Sequence, residues 1–112
     1  MIVLHGVQHK AIGVGDGIVV IKHEKTLFSS ERRKVIPISQ IAAVELKKPG
    51  TFINGYIQIQ LAGQVSKDAS GTLTGGAVDA ANDENSVLFT SEYLPKAQRI
   101  QEEIYRQLAG TK

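Results

Sequence analysis

The sharpest pattern in the chain is the alternation from Tyr56 to Ala62. Ile57, Ile59 and Leu61 fall on one side of an extended backbone, with Gln58 and Gln60 on the other. That pattern predicts a half-buried strand. Ile41 to Lys48 alternates in the same way, with Ala42, Val44 and Leu46 on one predicted face and Glu45 and Lys47 on the other. Pro49-Gly50 ends it as a turn. Ile18-Val19-Val20-Ile21 is a continuous β-branched run, too short for a helix, and predicts a buried strand. Ile2 to Val7 and Val87 to Thr90 read as further strands. Lys34 to Ile38 is a brief one, and its Pro37 assigns it to a sheet edge or a strand end. Ahead of Ile18, glycines at 13, 15 and 17 break the pattern. Asp16-Gly17 is a hairpin dipeptide, and Ala11 to Gly17 reads as the loop between the first two strands.

Beyond Phe89 the period changes. Leu94, Ala97, Ile100, Ile104 and Leu108 recur at helical spacing, which predicts one amphipathic helix over Tyr93 to Leu108. Lys96, Gln98, Arg99, Glu102, Glu103, Arg106 and Gln107 take the opposite side. Ser91 or Glu92 suits the cap, Pro95 the first turn and Gly110 the stop. Glu102 and Arg106 stand at a favourable i,i+4 spacing. Between strands and helix, Gly63 to Ser86 is rich in Gly, Ala, Ser, Asp and Asn, and its charge is net acidic. It predicts a long flexible loop at about 64–85, holding at most one weak strand around Leu73.

Composition narrows the function classes. With 112 residues, 42% hydrophobic and 21% charged, the chain is of one-domain size and of globular composition. It has no cysteine, which excludes disulfides, thiolate metal sites and a cysteine nucleophile. Aromatics at 5%, with no Trp, give little for stacking nucleic-acid bases, and a net charge of +2 is too small to argue for nucleic acid. No apolar run approaches the ~18 residues of a membrane-spanning helix, and the first residues lack the plan of a secretory signal. The expected location is the cytoplasm.

Several antiparallel strands followed by one amphipathic helix form a mainly β (α+β) plan. A strongly bent sheet, or partly open barrel, is closed at one end by the helix. The element order resembles the pleckstrin-homology (PH) superfold. The local wording resembles a family of uncharacterised bacterial PH-like domains often found with a short C-terminal oligomerisation segment. The stretches that carry this resemblance are Asp16-Gly17-Ile18, Ile38 to Lys47, Gly55-Tyr56-Ile57-Gln58-Ile59 and Asp83 to Phe89, with the helix from Pro95 to Leu108 in the place of that family's last helix. The resemblance implies a single PH-like domain over residues 1–112 and a leaning towards homo-oligomers. It supplies no activity and no site residues.

The candidate chemistry is sparse. His5, His9 and His23 are the only histidines. In one strand His5 and His9 would share a face but stand about 13 Å apart, too far to hold one ion. Gly13-Val14-Gly15-Asp16-Gly17 lacks the spacing of a phosphate loop and is followed by a strand, not a helix; a hairpin turn explains its glycines. Asp79, Asp83 and Glu84 lack a calcium-loop pattern. No metal, cofactor or catalytic triad is expected. The segment from Lys22 to Lys34 has more weight, with Lys22, Lys25, Arg32, Arg33 and Lys34 against Glu24 and Glu31. These five cations are the candidate contacts for an anionic lipid headgroup or phosphate, although the loop read at Ala11 to Gly17 contains no Lys or Arg.

Two readings from different classes follow. The leading one is a non-enzymatic PH-like binding or assembly module, partnered by a second copy of itself or by another protein. The alternative is a module for anionic membrane surfaces that uses the 22–34 cations. Self-association is expected through strand edges or the outer sheet face rather than through the helix, with the Tyr56 to Ala62 strand favoured because its outer Gln58 and Gln60 carry no charge.

Overall fold

A computed structural model describes residues 1–25, 27, 30–63 and 84–110. The predicted strand around Leu73 and the loop at 64–85, up to residue 83, lie outside the described residues. The elements are β1 (Ile2–His5), β2 (Lys10–Val14), β3 (Ile18–His23), β4 (Arg32–Pro37), β5 (Ile41–Lys47), β6 (Gly55–Leu61), β7 (Ser86–Phe89) and the helix α1 (Leu94–Gly110). Strands β1 to β4 form one antiparallel sheet in sequence order, and β5 to β7 form a second. The two sheets are not closed into a barrel, consistent with a partly open, PH-like α+β arrangement.

The loop expected at Ala11 to Gly17 is largely strand. Ala11 to Val14 is not loop but the body of β2, hydrogen-bonded to both β1 and β3. Its four residues are all buried. Gly13 disguises the strand by weakening its intrinsic preference, yet the site needs glycine: a Cβ there would meet Met1 Sδ at 3.2 Å and Val3 Cγ2 at 3.4 Å. The Asp16-Gly17 turn does form. Gly15 N–H donates to the Ile18 carbonyl at 2.9 Å, and Gly17 takes φ 79°.

The apolar positions converge on one core. Leu4, Ile12, Val14, Val19, Ile21 and Ile36 from the first sheet meet Ile41, Val44, Ile57, Ile59, Val87 and Phe89 from the second, and Ala97, Ile100 and Ile104 of α1 fill the space between. Leu94 and Leu108, expected to be buried, are only partly so and pack at its margin. Ala42 also departs from the expected face. The register shifts between Ile41 and Ala43, so Ile41 and Val44 both point inward while Ala42 is exposed.

The helix is joined to the sheets by polar as well as apolar contacts. It is entered through a 3-10 turn over Ser91–Tyr93 rather than through a side-chain cap from Ser91 or Glu92. Gln107 grips the β2–β3 turn: its Nε2 donates to the Gly15 carbonyl at 2.8 Å and its Oε1 accepts the Gly17 N–H at 2.7 Å. Arg106 pairs with Glu103, one residue closer than the expected Glu102. Among the described residues, no helix is long and apolar enough to cross a membrane.

Candidate functional site

The five candidate cations sit on the β3–β4 hairpin, but the strands divide them. Lys22 lies opposite Arg33, and both project from the outer face of the first sheet. Arg32 lies opposite His23, and Lys34 opposite the buried Ile21, so these two belong to the core-facing side. Three of the five have defined partners. Lys22 Nζ meets Glu31 Oε1 at 2.8 Å, and the hydrogen bond and charge of Glu31 raise its pKa while that of Glu31 falls. Arg32 Nη2 lies 3.2 Å from His23 Nδ1. Lys34 Nζ donates to Glu84 Oε1 and to Asn85 Oδ1, both at 2.8 Å, tying β4 to the entrance of β7. Asn85 is itself buried, and its carbonyl accepts the Ile59 N–H. Lys34 is therefore a bridge between the two sheets. Lys25 and Arg33 are left exposed.

The histidines are placed differently from the sequence expectation. His9 is not in a strand with His5 but in the β1–β2 turn, so the chain reverses between them. Both line an open cleft of about 330 Å³ together with Gly6, Gln8, Lys10 and Glu24. Gln8 (φ 65°) and His9 (φ 58°) both occupy the left-handed region, which costs a non-glycine residue roughly 1–2 kcal/mol. The turn is held by neighbours on three sides. Gly6 N–H donates to the Lys10 carbonyl, Val7 N–H to the Leu88 carbonyl of β7, and Glu24 N–H to the His9 carbonyl. Gly6 is required there, because a Cβ would collide with the Leu88 carbonyl and the Val87 side chain. His5 Nδ1 stands 4.0 Å from Glu24 Oε1, with both side chains well exposed. His23 is paired across β3 and β4 with Arg32 and has β2 between itself and β1. Among the described residues, no three His, Asp or Glu side chains are placed to hold a metal ion.

Two exposed apolar features were not singled out from the sequence. The first is the outer face of the four-stranded sheet. The cross-strand row Val3, Gly13, Val20 and Val35 runs over all four strands in register. Val35 is 51% exposed and Val3 half-buried, while Gly13 and Val20 are buried, Val20 outside both core clusters. Met1 lies across Gly13 and Gly15 beside this row. Only the register shows the row, since each strand contributes one residue to it.

The second feature is the tip of the β5–β6 hairpin. Gly50 N–H donates to the Ile53 carbonyl at 2.9 Å, which leaves Thr51 and Phe52 at the apex. Phe52 is 97% exposed and Ile53 57%. Lys47 and Lys48, both exposed, form the base of the same tip. The segment Lys47-Lys48-Pro49-Gly50-Thr51-Phe52-Ile53 holds two cations and no carboxylate, a signal the sequence did carry.

The strand expected to mediate self-association is not available for edge pairing. Strand β6 is the centre of its sheet, bonded to β5 on one side and β7 on the other. Its Gln60 and Tyr56 side chains both donate to Glu45, and burial together with the Glu45 hydrogen bond raises the pKa of the Tyr56 phenol.

Comparison with curated proteins and with solved structures finds no match to this chain. A family model does match, over residues 16–105, from the β2–β3 turn through most of α1. The chain therefore belongs to the family described as a domain of unknown function, DUF4429.

Proposed function

We propose that the chain is a non-enzymatic assembly module of PH-like type, which associates with a second copy of itself through the outer face of the four-stranded sheet. The observation that carries this reading is the row Val3, Gly13, Val20 and Val35, apolar across four strands and exposed at its Val35 end, on the sheet face opposite the helix. Val35 and Met1 are the exposed apolar side chains at this face, 51% and 73% accessible.

The arrangement of charge favours a self-partner. On one side of the apolar row lies the row His5, Ala11, Lys22 and Arg33; on the other lie Met1, Ile18 and Pro37. A two-fold axis through the middle row sets each basic row over the uncharged row of the other copy. Like charges are thereby kept apart.

Light scattering across a tenfold dilution tests the reading. The expected result is a dimer mass for the native chain and a monomer mass for Val35→Lys, with an unchanged circular dichroism spectrum. A monomer mass for the native chain at every concentration overturns it.

A further inference from the structure

We infer that the tip of the β5–β6 hairpin is a membrane anchor, which inserts Phe52 and Ile53 into the interface of an anionic lipid bilayer while Lys47 and Lys48 contact the headgroups. The inference uses different residues from the assembly face and stands or falls apart from it.

Three observations support it. Phe52, at 97%, is among the most exposed large apolar side chains of the described residues, and it stands where a hairpin usually places a polar or glycine residue. The turn bond from Gly50 to Ile53 fixes it at the apex, so the ring does not fold back onto the sheet. The hairpin below is firm, because β5 and β6 pair without interruption from Ala43 and Gln60 to Lys47 and Tyr56. Gly55 also packs against Pro49 and the Lys47 carbonyl too closely to admit a Cβ.

Shape and charge select the occupant. The tip is convex and carries two large apolar residues, too little for a protein interface that needs matched surfaces. A fluid lipid surface needs no shape match and accepts a protruding aromatic at the level of its headgroups. Lys47 and Lys48 have no acidic partner among the described residues, and no carboxylate lies between Lys47 and Ile53. Their charge complements anionic headgroups and lies at the base of the tip, where a bilayer surface meets it once the apex is inserted. One such tip binds weakly and reversibly; paired copies would bind through two.

The chain has no Trp, so Phe52→Trp places a single indole at the apex without background. With vesicles of phosphatidylcholine and phosphatidylglycerol, its emission is expected to shift to the blue and to be quenched by brominated acyl chains. Phosphatidylcholine alone should give a much smaller shift. In co-sedimentation, Phe52→Ser and the double change Lys47→Ala with Lys48→Ala should each lower the bound fraction of the native chain at least several-fold. Both leave the core untouched, so thermal unfolding should be unchanged. No spectral shift with anionic vesicles, or undiminished binding by Phe52→Ser, overturns the inference. In the second case any lipid contact belongs to other cations, such as Lys25 and Arg33. A failure here leaves the mass measurement of the assembly face unaffected.

Discussion

The Tyr105 hydroxyl holds both backbone groups of Val44: it accepts the Val44 N–H at 3.0 Å and lies 3.2 Å from the Val44 carbonyl, to which it donates. Gln101 Nε2 adds a second donor to that carbonyl at 2.9 Å. Val44 faces Ile59 across β5 and β6, and Ile59 N–H is directed to Asn85, so the Val44 groups point out of the sheet. The helix thus covers the β5 edge with side chains, which blocks the addition of a further strand there.

Tyr105→Phe removes that cover from the N–H and leaves Gln101 on the carbonyl. Water can reach a side chain that is 42% exposed, so the cost should be that of an ordinary hydrogen bond, about 0.5–1.5 kcal/mol. Urea denaturation measures it. A cost near zero would show that the edge needs no such cover.

Ile104 is fully buried between the two sheets. Ile104→Ala should destabilise the fold by about 2–5 kcal/mol, the range for a buried large-to-Ala change. An effect below 1 kcal/mol in the same measurement would mean that α1 does not pack as described.

His9 stores conformational energy in the β1–β2 turn. Since glycine adopts φ 58° without strain, His9→Gly should raise stability by about 0.5–1 kcal/mol despite the added freedom of the unfolded chain. A loss of stability would show that the imidazole makes a contact worth more than the strain.

Glu103 gives the fold an acid-sensitive contact. Hydrogen bonds from Arg106 and Gln107 hold its carboxyl down at about 2. A carboxyl lower in the folded than in the unfolded chain stabilises above the unfolded value, near 4.3, and loses that contribution as pH falls towards 2. Because Gln107 also grips Gly15 and Gly17, the β2–β3 turn should loosen over the same window. Thermal unfolding of the native chain and of Glu103→Gln should converge as pH is lowered from 5 to 2, the native chain having lost its advantage. Parallel curves would rule the contact out.

The sequence by itself determined the classes of element and most of their inner faces. Periods of two in β5 and β6 and of 3.6 in α1 report which side of an element is dry, because burial acts on each residue through its own position along the backbone. Ile57, Ile59, Val44, Ala97, Ile100 and Ile104 were all legible in this way. Strand β2 was not, because Gly13 and Gly15 carry the signature of a turn, and only the approach of Met1 and Val3 explains glycine there. The division of the 22–34 cations also depended on tertiary structure. Adjacent residues alternate between faces, so Arg33 reaches solvent while Lys34 ties β4 to Glu84 and Asn85, fifty residues away in sequence. The apolar row on the outer sheet face and the covered β5 edge exist only across strands or between strand and helix. Such features arise from register and packing, which no local pattern encodes, because they join residues whose neighbours in sequence point elsewhere.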